Sequence, residues 1–437
     1  MEQFFKLKER GSSVGQEARA GLTTFLAMAY IIAVNPGLMV VAGVPANAAV
    51  TATCVGAGIM TIMMGIFANR PLACASGMGI NAVVAYSLTA IDGGDWHASM
   101  AVIFIEGVAI LILVLCGLRE AIMDAIPVPL RHAISVGLGL FIAMIGLKDG
   151  GIIVANESTM VGLGNVTSAT FIVGVISIVA TAILYTMEVP GSLLIGIIIA
   201  VIAGIPLGVT QMPTGIVSPL DFSSFGAPFQ TDASGVMGIA KVIVNPMLLV
   251  FAFSLMMSDF FDTMGTAMAV AKQGEFLNDD GSVEDIKQIL IVDSAAAAVG
   301  GFVGASSITT FVESSSGAAD GGRSGLTSIV TGILFIIAAF FAPIISIISS
   351  AATCGALVIV GYLMMGDVVD IDWTNITDAF PAFMIIAGIP FTYSISDGIG
   401  FGFIAYVLIN LVTGKAKNIK PLMWVATIAF VVYFLLL

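Results

Sequence analysis

The chain has 437 residues, is 58% hydrophobic and 10% charged, and has a mean hydropathy of +1.08. Soluble domains carry about 25% charged residues, so this composition excludes an ordinary soluble enzyme or nucleic-acid-binding domain and indicates a polytopic protein of the lipid bilayer. The net charge of −13 falls mostly in loops and identifies no partner.

Basic residues Lys6, Lys8, Arg10 and Arg19 lead into a first hydrophobic run at 20–42. It is about as long as a span and lacks a small-residue cleavage site, so it reads as a retained helix. Further runs follow at 48–69, 71–89, 97–118, 130–147, 168–186 and 190–208, before a long polar connection over 209–243. They resume at 244–271, 286–304, 305–322, 325–346, 349–366, 378–393 and 396–413, and a last apolar run occupies 421–437. At about 20 residues per span, the expectation is about fourteen transmembrane segments. With the N-terminus in the cytoplasm, 13 of the 15 Lys and Arg fall on the inner side, leaving Lys148 and Lys241 outside. The tail at 421–437 is marginal in length and could cross or lie along the interface.

Seven segments per half is an odd number, so a second set of seven repeating the first must be inserted upside down. The third segment (PLACASGMGINAVVAYSLT, 71–89) and the tenth (within SITTFVESSSGAADGGRSG, 307–325) then correspond. Both have an extended lead-in followed by glycine-interrupted sequence. Such paired, broken segments point to a transporter binding site. The expected fold is an all-α polytopic membrane protein, a 7+7 inverted repeat with a short extended strand plus half-helix in segments three and ten.

Ionisable groups at membrane depth are costly and mark function. Glu313 stands where the tenth half-helix should begin, and free N–H groups over Ser314, Ser316 and Gly317 would add donors at a positive dipole end. In the eighth segment, SDFFDTMGT places Asp259 and Asp262 three apart on one helical face, with Phe260 and Phe261 between them as floor and wall for a flat heterocycle. Asn81 lies one turn into the third half-helix, behind Ser76 and Gly77, and its amide both donates and accepts. Glu106 reads as supporting or cavity-lining, Asp293 and Asp397 as further acids in or near spans, and Asp320 and Arg323 as a pair at the cytoplasmic end. The four cysteines (Cys54, Cys74, Cys116, Cys354) and two histidines offer no metal spacing or disulfide framework, so neither a metal, nor a cofactor beyond a coupling proton, nor an enzyme is expected.

TTFLAMAYIIAVNP (23–36), SGMGINAVVAY (76–86), SDFFDTMGT (258–266) and TTFVESSSGAADGGRSGLT (309–327) together resemble the AzgA-like purine permeases of the nucleobase–cation symporter and nucleobase–ascorbate transporter group, over essentially the whole chain. The resemblance implies a core domain at 1–118 and 244–346, a gate domain at 119–208 and 347–437, and an extracytoplasmic connection at 209–243. It implies proton-coupled uptake of adenine, guanine or hypoxanthine across the cell membrane by alternating access, as a homodimer. Its substrate contacts fall on Asn81, Asp259 and Glu313, with Asp262 in support, and Glu313 and Asp259 are the proton-coupling candidates. Relatives often have Glu or Ala in place of Asp320 and Thr in place of Ser324; neither departure touches a proposed contact. Uracil, xanthine or a small anion on the same fold, or a channel, remain the alternatives.

Overall fold

The computed structural model describes residues 2–436 apart from 92–94, 118–125, 157, 190, 214, 233–234, 279–282 and 346, and apart from the side chains of 2, 3, 90, 257, 260, 261, 264, 265, 268, 269, 272, 418 and 436. Every hydrophobic run is occupied by helix, or by strand and helix. The first forms two helices, α1 (Val14–Met28) and α2 (Ile31–Ala42), the former starting earlier than expected because Ser13 Oγ caps it through Gln16 N–H. They are followed by α3 (Ala46–Phe67), strand β1 (Cys74–Ser76), and α4 (Met78–Val83), which continues into a π turn (Val84–Leu88). Next come α5 (Trp96–Leu115), α6 (Val128–Asp149), α7 (Ala169–Thr186) and α8 (Ser192–Gly204). A hairpin of β2 (Ile153–Asn156) and β3 (Met160–Leu163) between α6 and α7 was not expected from the sequence.

The connection beyond α8 ends in a short helix, α9 (Gly238–Val244), bent by 99° from α10 (Pro246–Gln273), whose Asn245–Pro246 start breaks the run. The second half continues with α11 (Ile286–Val303), β4 (Ile308–Thr310), α12 (Ser314–Ala319), α13 (Gly325–Ala338), α14 (Ser350–Met364), α15 (Ile376–Thr392), α16 (Ile395–Val412) and α17 (Pro421–Leu436). Among the described residues, nine helices are long and apolar enough to cross a membrane, or ten with the bent pair, and four shorter apolar helices accompany them.

Lipid supplies no hydrophobic drive between helices, so close packing of small residues takes over. α3 and α13 meet where a Cβ at Gly58 would crowd the Gly332 carbonyl, and α6 and α14 meet in the same way at Gly139 and Gly361. One set of contacts gathers α1, α3, α5, α11 and α13 around the two short strands; another gathers α6, α7, α8, α14, α15 and α16. The tail helix α17 is docked on α16, where Tyr433 Oη donates to Asp397 at 2.8 Å.

At one end of the bundle, Asp320 and Arg323 do not pair with each other. Asp320 binds Arg19 at 3.0 Å, and Arg323 reaches Glu275 at 3.3 Å. The cause is local: α12 stops at Ala319, and Gly321 turns the chain with φ +97°, so the helical three-residue spacing is not kept.

Candidate functional site

Strands β1 and β4 run antiparallel with Cys74 opposite Thr310, Ala75 opposite Thr309 and Ser76 opposite Ile308. Two such short strands are marginal in water, and inside a bilayer their backbone groups must all be satisfied by protein. Gly77 N–H donates to Ser307 O at 2.8 Å, Phe311 N–H to Ala73 O at 2.9 Å, and Ala73 N–H to Ser314 Oγ at 2.9 Å. The buried Asn35 amide reaches Thr53 Oγ1, Ser76 Oγ and the Ala305 carbonyl at 2.8–3.1 Å, stitching both lead-ins to α2 and α3. Asp293 on α11 accepts from Thr309 Oγ1, Thr310 N–H and Thr263 Oγ1, which anchors β4 from the other side.

A cavity of about 1190 Å³ opens beside this crossing. Glu313, Ser316, Asp262, Ser258 and Thr23 line one wall; the start of α6, including Arg131, His132 and Ser135, lines the other. Glu313 is the N-cap residue of α12. Its Oε1 accepts the Tyr30 hydroxyl at 2.6 Å, which holds the carboxylate at the cavity edge. Tyr30 stands at the break between α1 and α2 and was not expected from the sequence, although a lone phenol inside an apolar run was a readable signal.

The free donors expected at the start of the tenth half-helix are not free. Ser314, Ser315 and Ser316 N–H groups donate to the carbonyls of Phe311, Val312 and Glu313 at 2.9–3.1 Å, because the strand leaves through a tight turn that closes the helix start on itself. Ser314 Oγ is committed to Ala73. Gly317 faces away from the cavity: a Cβ there would run into Thr24 Oγ1 and the Ala20 carbonyl, so this glycine lets α12 lie directly on α1.

Asp259 and Asp262 part company despite their spacing. Asp262 lines the cavity, whereas Asp259 is 1% exposed and lies within electrostatic reach of Glu106. Asn81 is fully buried behind the crossing, with Nδ2 donating to Ser76 O at 3.2 Å and Oδ1 without a partner among the described residues. Ser76 and Gly77 belong to the crossing itself. Glu106, expected in a cavity-lining or supporting place, is buried away from the lining. The side chains of Phe260 and Phe261 lie outside the described residues. The structure therefore brings Glu313, Ser316 and Asp262 to one water-accessible wall, with Asn81, Asp259, Ser76 and Gly77 in the layer behind it.

Polar and ring contacts link segments at the far end of α6. Tyr86, in the π turn after α4, donates to Asp149 Oδ1 at 3.2 Å, and Ser87 Oγ donates to the Tyr393 carbonyl at 3.0 Å. Lys148 Nζ lies 4.7 and 5.2 Å from the Tyr86 and Tyr393 ring centres.

Residues 15–401 match the Permease family (Xan_ur_permease). The chain is 37% identical to the adenine permease AdeP of Escherichia coli (strain K12) over 432 residues, covering 99% of this chain and 95% of that one. It is also 37% identical to the guanine/hypoxanthine permease PbuO of Bacillus subtilis (strain 168) over 447 residues, covering 99% and 100%. Among solved structures, the transmembrane domain of a cyanobacterial bicarbonate transporter, BicA, superposes with a TM-score of 0.61 at 16% identity, covering 90% of this chain and 97% of that one. The murine Slc26a9 anion transporter in the inward-facing state gives 0.62 at 13% identity, covering 91% and 68%. At those identities the likeness shows a shared fold. By the family match and the full-length relatives, the chain belongs to the Permease family, whose members are membrane transporters and not enzymes.

Proposed function

We propose that the chain is a secondary transporter that takes up purine nucleobases with protons, working by alternating access across the cell membrane. The observation that carries this reading is the crossing of β1 and β4 beside a cavity where Glu313, held by Tyr30, faces water. A carboxylate at a half-helix start accepts the ring or exocyclic N–H groups of a flat base, and a charge-assisted bond contributes about 1.5–3 kcal/mol. The relatives named adenine and guanine/hypoxanthine permeases support a purine.

We infer fourteen segments in two inverted sets of seven, with the N-terminus cytoplasmic on the strength of the Lys and Arg count, a core at 1–118 and 244–346, a gate at 119–208 and 347–437, and an outer connection at 209–243. On this reading the cavity opens to the cytoplasm and the Tyr86–Asp149–Tyr393 contacts close the outer face, an inward-facing state. Glu313 and Asp262 meet the base first. Asn81 and Asp259 lie one layer behind and join the site as the core moves, and the functional unit is a homodimer.

Uptake into reconstituted vesicles tests this, with adenine, guanine, hypoxanthine, xanthine and uracil as competitors and an imposed inward proton gradient. Saturable purine uptake driven by the gradient, and lost in Glu313→Gln, is the expected result. Non-saturable flux, preference for uracil, or unchanged uptake and pH dependence in Glu313→Gln overturns it.

A further inference from the structure

Helix α5 carries one carboxylate at its middle, Glu106, which is 1% exposed and whose two oxygens have no hydrogen-bond partner among the described residues. Buried polar groups are almost always bonded, so a carboxyl group with both oxygens bare is unusual. It sits at a junction of three helices. Next to it, Gly107 lets α5 close on α11 until a Cβ would strike the backbone of Ala297 and Ala298, and α10 packs against the same helix.

From those two helices come Asp293 and Asp259, each 1% exposed and each within electrostatic reach of Glu106. Cys74 of β1 lies within reach of the same two aspartates. No cation acts on Glu106 among the described residues. Lys241 of α9 packs at the outer end of α5, where it is tied to Asp95 at 2.8 Å and Asp232 at 2.7 Å. Asp95 precedes Glu106 by eleven residues, about 16 Å of helix. Tyr86, from the π turn packed on α5, is engaged with Asp149.

Three carboxylates enclosed together cannot all be ionised, and hydrogen bonds decide which stay charged. Asp293 accepts three, at 2.6, 2.8 and 3.1 Å, which favours its anion. Glu106 accepts none, and a protonated carboxyl is the form that its site tolerates. We propose that Glu106 is a binding site for the coupling proton, set apart from the purine cavity and joined to it through Asp259, Asp293 and Asp262. Asp262 lies within electrostatic reach of both Asp293 and Glu313 and lines the cavity, so it forms the outlet. In the release step the O–H bond at Glu106 breaks, the proton passes by way of these carboxylates to cavity water, and the cluster becomes more negative by one charge. This inference rests on the proton-coupled reading above.

The test uses full-length protein in vesicles with a trapped pH dye, and measures both adenine- or hypoxanthine-driven proton entry and purine-for-purine exchange. Wild type should show both. Glu106→Gln, a mimic of the protonated form, should keep exchange but lose at least tenfold in protons moved per purine, while Glu106→Asp should recover coupling with a displaced pH profile. A wild-type proton-to-purine ratio and pH profile in Glu106→Gln overturns the site and leaves proton coupling standing. Purine accumulation by wild type with no proton movement, or with sodium in its place, instead overturns proton coupling itself. If neither variant reaches the membrane, wild-type protein is labelled with dicyclohexylcarbodiimide, which attacks protonated buried carboxyls. Labelling at Glu106 that declines as pH rises is expected; labelling of other carboxylates with none at Glu106 overturns the proposal.

Discussion

Tyr30 and Glu313 are 283 positions apart in the chain and 2.6 Å apart in space. Removing the hydroxyl in Tyr30→Phe leaves the ring packing and takes away the bond that aims the carboxylate, a loss of about 1.5 kcal/mol or about tenfold in purine Kd. Equilibrium binding to purified protein checks this, and an unchanged Kd would show that Glu313 is oriented by something else. A second single-residue effect lies outside the membrane. Burial works against the charge of Asp95, but hydrogen bonds from Lys241 and His97 outweigh it and hold its carboxyl below its ordinary value. A depressed folded value means stability that is complete above the unfolded value of about 3.9 and lost as pH falls through the folded one. Hydrogen exchange over 227–244 should therefore accelerate only in that acid window, and in Lys241→Met should already be fast at neutral pH.

For whole elements, the half-helices depend on close approach more than on capping. A methyl at Gly317 strikes α1, and overpacking of this kind costs about 1–3 kcal/mol. Gly317→Ala should lower the melting temperature and the transport rate together. Gly37→Ala, in α2 with nothing within 4 Å of the added atom, should cost no stability. Comparable melting losses in both would mean that α12 does not lie as tightly on α1 as the structure has it.

Across the whole molecule, one end is open and the other is latched by contacts between the segment after α4 and the ends of α6 and α15. Tyr393→Ala removes the ring that meets Tyr86, Phe141 and Lys148. It should shift the population outward, so that a cysteine placed at Ser135 in a Cys116→Ser background reacts more slowly from the cavity side with a membrane-impermeant thiol reagent. Faster or unchanged labelling would mean that the latch does not hold the proposed inward-facing state.

Composition and period alone determined that the chain is a multi-span membrane protein, and the odd spelling of 71–89 and 307–325 marked where it departs from plain helix. Glu313 was legible because a carboxylate at membrane depth is costly and is retained where a cavity or a partner receives it. The burial of Asp259 against the exposure of Asp262 was not legible, because three residues of helix separate them by only part of a turn and the neighbours on each side come from distant segments. Nor was the closing of the Ser314–Ser316 amides, which depends on how tightly the chain turns after β4. The partners of Asp320 and Arg323, and the carboxylates that lie near Glu106, were decided by helices far away in sequence. Hydrophobic pattern is a local property that a bilayer enforces residue by residue; which polar groups meet inside is a property of packing, and only the folded chain brings them together.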